Sequence, residues 1–160
     1  MEVNGYPHGP KVINVSDILF VRRRIPPIEL PTDAPAKGKV QTKFDFVYTI
    51  ETAEELRDLA NAERAKPLSF LSTAIKWPVY FAGELASGPL QLMKSEIRDG
   101  VQSAFLIGKF GIRVSNTPQE VFDVIQKAGG QTREILPPID NTTWAQAHHD
   151  FEWDIRPPIE

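Results

Sequence analysis

The sequence predicts an α+β fold: a compact sheet-and-helix body over about residues 44–136, with extended proline-rich arms at both ends. Three observations lead there. Short segments in the middle of the chain alternate between period-two and helical patterns. Two of the helical segments open on capping boxes. Prolines crowd the ends: of 14 in 160 residues, six lie between Pro7 and Pro35 and four between Pro137 and Pro158. That is about 9% proline against a usual ~5%.

Residues 1–43 form the predicted N-terminal arm, with one strand in it. "KVINVSDILFVRRR" carries Val12, Val15, Ile18 and Phe20 among β-branched neighbours, which predicts a strand over Ile18–Arg23. "IPPIELPTDAPAKGK" follows. Each proline removes a backbone donor and restricts the residue before it, so extended or polyproline II geometry is expected.

The body begins with "FDFVYTI", where Phe44, Phe46, Tyr48 and Ile50 alternate as a strand. Thr52 then serves as an N-cap, with Glu55 at the third helical position. Ala53, Leu56, Leu59 and Ala60 make a short apolar stripe, and Pro67 stands just beyond the helix end. "WPVYFAG" suggests a strand near Val79–Ala82. Leu90, Met93, Ile97 and Val101 recur at helical spacing. "SAFLIGKFGIRVS" predicts a strand or hairpin. The next helix has the fullest signature: Thr117 caps it, Pro118 takes the first position, Glu120 completes the box and Gly129-Gly130 ends it. "TREIL" then predicts a strand running into Pro137-Pro138. This order predicts a mostly antiparallel or mixed sheet with helices on one side, and a doubly wound sheet as second choice.

Residues 137–160 form the predicted acidic tail, with Trp144, Phe151 and Trp153 among its acids and prolines. Large aromatics act as anchors in cores and interfaces and are scarce in disordered segments. Hydrophobic residues at 41% and charged residues at 24% are those of a soluble globular chain large enough to bury a core. The absence of cysteine removes disulfides and thiolate chemistry, and it fits a reducing compartment. "MEVNGYPHGP" has neither the basic nor the apolar region of a secretory signal. Lys76, Pro78, Glu84 and Pro89 interrupt the apolar stretch Pro67–Met93, which predicts a buried segment and no membrane span. A cytoplasmic or virion-associated location is expected.

Net charge is −3 overall, but it is unevenly spread. Residues 1–43 carry seven basic and four acidic groups, residues 44–136 ten and twelve, and residues 137–160 one and five. A basic front and an acidic tail attract each other, within one chain or between neighbours.

Three motifs raise questions of function. Pro-Pro-Ile-acid occurs three times, within "RRRIPPIE", "LPPID" and "RPPIE". The copies are too irregularly spaced for a structural repeat. Each follows a strand-like segment, where Pro-Pro stops edge pairing, and each is also a candidate docking ligand. The candidate partner-binding residues are therefore Arg22, Arg23, Arg24, Pro26, Pro27, Trp144, Phe151, Trp153, Pro157 and Pro158. The arginine run suits an acidic partner or phosphate, against a solvated strand end or pairing with the chain's own acids.

His148-His149-Asp150 is the one histidine cluster, but adjacent residues point apart and no third ligand is visible, so no metal is expected. Gly108-Lys109-Phe110-Gly111 resembles the GxxG loop of KH-type RNA-binding domains, which implies approach to phosphates. The resemblance covers nine residues. A strand pattern follows where a KH domain has a helix, and the net charge is negative, so nucleic acid is not the expected partner. No nucleophile elbow, P-loop, dinucleotide fingerprint or H-E-x-x-H is present, and no cofactor or catalytic residue is assigned.

The expected function is a non-catalytic assembly or structural subunit of a larger complex, such as a virion or phage particle. Its extended arms would contact neighbouring subunits in a homo- or hetero-oligomer. Two alternatives stand beside it. One is a soluble monomeric binding or regulatory module, such as an inhibitor, adaptor or chaperone, with its arms folded on its own body. The other is a small hydrolase or transferase using dispersed carboxylates such as Asp45, Glu84 and Glu96.

Overall fold

The computed structural model describes residues 1–26, 28–140 and 151–154. It holds a seven-stranded sheet, a five-stranded sheet and two α-helices, a mixed and sheet-rich fold. The chain divides into two units. One comprises Met1–Phe70 and Trp77–Ala82, the other Leu71–Lys76 and Gly83–Glu160.

The first unit is built on β1 (Glu2–Tyr6), β2 (Gly9–Val12), β3 (Ile18–Arg23), β4 (Gly38–Thr42), β5 (Phe46–Thr49), α1 (Ala53–Asn61), the first two residues of β6 (Ser69–Ser72), and β7 (Pro78–Phe81). The strands run in the order β2-β1-β5-β4-β3-β7-β6. β3 pairs antiparallel with both β4 and β7, so its ladder is satisfied on both sides. Ile18, Phe20, Val21, Val40, Val79 and Phe81 are fully buried.

α1 packs on β3, β4 and β7. Its capping box forms as the sequence predicts, with Thr52 Oγ1 accepting from the Glu55 amide and the Glu55 carboxylate accepting from the Thr52 amide. Ala53, Leu56 and Ala60 are its buried residues, while Leu59 stays exposed.

The first 43 residues thus differ from the arm expected of them, since they supply four of the seven strands. β1 joins the sheet through Gly5↔Thr49 and Tyr6↔Tyr48, a pairing across more than forty residues that no local pattern announces. The proline-rich stretch after β3 is also not extended. The Glu29 amide donates to the Ile25 carbonyl at 2.9 Å and the Ala34 amide to the Pro31 carbonyl at 3.0 Å, closing two turns. The φ that proline imposes suits a turn corner as well as polyproline II. The buried Arg24, which donates to carbonyls of this stretch, decides between them.

The second unit adds β8 (Ala86–Gly88), β9 (Ser103–Ile107), β10 (Phe110–Val114), α2 (Pro118–Ala128), β11 (Gln131–Thr132) and β12 (Glu152–Trp153), in the sheet order β11-β8-β9-β10-β12. β9 and β10 form the predicted hairpin, turning at Gly108-Lys109. The segment that resembles a GxxG loop is thus a hairpin turn and the start of a strand, and no helix follows it directly.

α2 carries its full signature: the Thr117 box, Pro118 at the start, and Gly129 at φ +84° where a side chain would be strained. Val121 and Ile125 are its buried residues, and α2 packs on β8, β9 and β11. Phe105, Ile107, Ile112 and Val114 fill the core of this unit.

Two local expectations fail here. Leu90–Val101 holds only a 3₁₀ turn at Lys94–Glu96, despite its helical spacing. The amides of Leu90 and Lys94 donate to the carbonyls of Ala104 and Ile139, tying the segment as an extended chain. Asp99 and Gly100 then turn through positive φ, which breaks any helix. "TREIL" yields only the two-residue β11, paired in parallel with β8. Ile135 and Leu136 beyond it are exposed.

Candidate functional site

The three arginines of "RRRIPPIE" have three different fates, and strand parity explains the first division. Side chains alternate across a strand, so Arg22 and Arg24 share one side of the chain and Arg23 takes the other. Arg22 is buried and its two terminal nitrogens donate to the two carboxylate oxygens of Glu29 at 2.8 and 2.9 Å. Lys39 Nζ adds a second cation, 3.3 Å from the same carboxylate. The Ile25 amide also donates to Glu29, at 2.8 Å. Burial raises the carboxyl pKa of Glu29. The Arg22 hydrogen bonds and charge, the Lys39 charge and the Ile25 amide outweigh it and hold the group below its ordinary value.

The acid of the first Pro-Pro-Ile-acid copy therefore closes an internal ion pair. Pro26 belongs to the turn that brings it back.

Arg24 is buried too, and among the described residues its partners are carbonyls alone. Nε donates to Ala36 O at 2.6 Å, one terminal nitrogen to Leu30 O and Pro31 O at 3.2 and 3.3 Å, and the other to Ala34 O at 3.2 Å. The proline-rich loop is wrapped around this guanidinium. That is why it is compact where the sequence predicts an extended chain.

Arg23 is exposed, and its guanidinium lies 4.2 Å from the centroid of the Trp77 ring. The pair borders an open cleft of about 680 Å³, lined also by Pro26, Ala34, Pro35, Lys37, Thr52, Glu54 and Pro78. Among the described residues neither Arg23 nor Lys37 has an acidic partner. The cleft thus presents two available cations, one carboxylate and a tryptophan–proline wall. That combination suits an extended acidic segment: guanidinium and ammonium groups for carboxylates, flat rings for its apolar spacers.

The predicted site residues of the tail separate in the same way. Phe151 and Trp153 lie against the edge of β10, with ring centroids 4.9 Å apart at 90°. Arg113 covers Trp153 at 3.8 Å and pairs with Glu96 at 3.4 Å. Pro27, Trp144, Pro157 and Pro158 lie outside the described residues, as do His148, His149, Asp150 and the third Pro-Pro-Ile-acid copy. The second copy forms an isolated parallel bridge, Met93↔Ile139. Sequence reasoning missed Trp77 and Lys37 because nothing local links them to Arg23. The buried parity of Arg22 and Arg24 within a strand is the one signal that could have singled out Arg23.

Two of the three candidate carboxylates, Glu96 and Asp45, are engaged structurally. Glu96 accepts from the Met93 amide and Arg113. Asp45 is held below its ordinary pKa by the Thr42 hydroxyl and by Lys11, against a small opposing effect of burial. Among the described residues no group of three or more His, Asp or Glu side chains is placed to hold a metal ion. No helix among them is long and apolar enough to cross a membrane. Comparison with protein-family models, curated proteins and solved structures finds no match for the chain.

Proposed function

We propose that the chain is a non-catalytic subunit of a larger protein assembly, such as a virion or phage particle, and that its cleft docks an acidic extended segment of a neighbouring subunit. One observation carries the reading. In a run of three arginines, two are consumed internally and the third lies on Trp77 in the lining of a cleft that Lys37 also lines, with no acidic partner among the described residues. A guanidinium fixed in orientation loses less entropy on pairing than a free one, so the pair is prepared for a carboxylate.

The contacts involved are charge-assisted and near the surface, so association weakens as salt rises. Sedimentation of the full chain over rising concentration tests this. Self-association that falls at least about tenfold in Arg23→Glu/Lys37→Glu, or in high salt, supports the reading; a shift of 1.4 kcal/mol is enough. A strict monomer, unchanged by the double substitution, overturns docking between copies.

A second reading is a monomeric binding or regulatory module. One observation favours it: the N-terminal residues expected as an arm lie within the chain's own sheet, paired at β1–β5 and β3–β4. A monomer that still bound acidic peptides through Arg23 and Lys37 would select this reading.

A further inference from the structure

The outer edge of β10 carries a second binding surface, already occupied. Phe110 and Gly111 pair in parallel with Glu152 and Trp153. The Glu152 amide donates to Lys109 O at 2.8 Å, and the Asp154 amide to Gly111 O at 3.0 Å. This is strand addition to a sheet edge, with main-chain bonds for affinity and side-chain pockets for register. The pocket is Gly111: a Cβ there would fall 2.6 Å from Phe151 Cδ2 and 3.0 Å from Trp153 Cε3. Arg113 closes over the Trp153 ring from the same strand.

Parallel strands cannot be joined by a tight turn. Nothing in a hairpin therefore sets the register of β12. The Gly111 recess, the Arg113–Trp153 stack and two main-chain bonds set it, and they do not depend on which chain supplies the strand. In sequence, ten residues separate Asp140 from Phe151. Fully extended, they reach roughly 33 Å, enough to deliver the strand elsewhere.

We propose that β10 is an exchangeable strand-binding groove, and that Phe151–Asp154 of a second copy seats in it to link subunits. This deepens the assembly reading above and rests on it. A tethered strand meets its own groove at an effective concentration on the order of millimolar. In dilute solution each chain therefore fills its own edge, and exchange takes over at the local concentrations of an assembly.

Two full-length variants test the exchange. Gly111→Val fills the recess and leaves the donor strand intact. Phe151→Ala/Trp153→Ala leaves the groove open and removes the donor. Mixed in equal amounts, they are expected to form a one-to-one heterodimer in sedimentation and native mass spectrometry, and neither dimerises through this edge alone. Building both pairs in the Arg23→Glu/Lys37→Glu background keeps the two surfaces apart. A heterodimer that persists there belongs to the β10 edge. If the mixture sediments as two monomers while the wild-type chain associates through Arg23 and Lys37, exchange is overturned and the assembly reading stands.

Should Gly111→Val fail to fold, a labelled peptide spanning residues 150–155 replaces it as donor to the Phe151→Ala/Trp153→Ala chain. Saturable binding, absent for a scrambled peptide, supports the groove. No binding up to about millimolar peptide overturns it.

Discussion

The molecule contains two arginine–tryptophan stacks of nearly the same geometry, Arg23 on Trp77 at 4.2 Å and Arg113 on Trp153 at 3.8 Å. Their surroundings differ. Arg113 is largely buried and paired with Glu96, whose side chain is only 10% exposed. Burial pushes the Arg113 pKa down and Glu96 pulls it back, which marks a cation withdrawn from water. Arg23 is open to solvent and, among the described residues, has no carboxylate paired with it. The same contact thus acts as a clasp in one unit and as a poised docking group in the other. What separates them is the supply of an internal carboxylate.

The strongest way to break the contrast is to remove such a carboxylate where a neighbouring arginine depends on it. Glu29→Ala leaves Arg22 buried without its partner, and unfolding in urea should show a loss of about 3–5 kcal/mol. A loss below about 1 kcal/mol would mean that Arg22 finds water instead of burial.

The same pair should dominate acid sensitivity. The folded Glu29 carboxyl has a lowered pKa, so below the ordinary carboxylate range the unfolded chain binds the proton more readily. The stability it contributes is therefore full above that range and is lost as pH falls through the folded value. Glu29→Gln should flatten the acid limb of a stability–pH profile; an unchanged limb would assign that limb to other acids.

Next in size is Arg113→Ala, which removes the guanidinium from Glu96 and the cover from Trp153. A cost of about 2–3 kcal/mol is expected, with faster hydrogen exchange at the Glu152 and Asp154 amides. Loss of stability with those amides still protected would separate the clasp from the strand. Smallest is Arg23→Ala, at about 0.5–1 kcal/mol for an exposed cation–π contact. Its effect should appear in association and not in folding, and a large thermal shift would put Arg23 among the structural arginines.

Much of the fold was legible where the determining contacts are close in sequence. The boxes at Thr52 and Thr117, the stop at Gly129 and the β9–β10 hairpin each depend on residues within a few positions. β3 was legible because its apolar run needs no partner to be recognised. The sheet membership of β1 and β2 was hidden, since it depends on pairing with β5, on the far side of β3 and β4 in sequence. Leu90–Val101 shows the converse: a helical spacing overruled by backbone bonds to Ala104 and Ile139. For the site, composition found the arginines, but only the strand's parity and the return of Glu29 could tell which were available.

Arg24 in its cage of carbonyls carries one more consequence. The groups that hold it come from Leu30, Pro31, Ala34 and Ala36, and every one is main chain. Any residue type offers the same oxygen. Arg24 therefore constrains the length of the loop more than the side chains at those four positions, because one inserted or deleted residue would rotate the oxygens away from the planar fork. Lysine at position 24, with a single charged nitrogen, cannot reach them all. The side chain that looks most like part of a binding patch acts instead as a ruler for the loop around it.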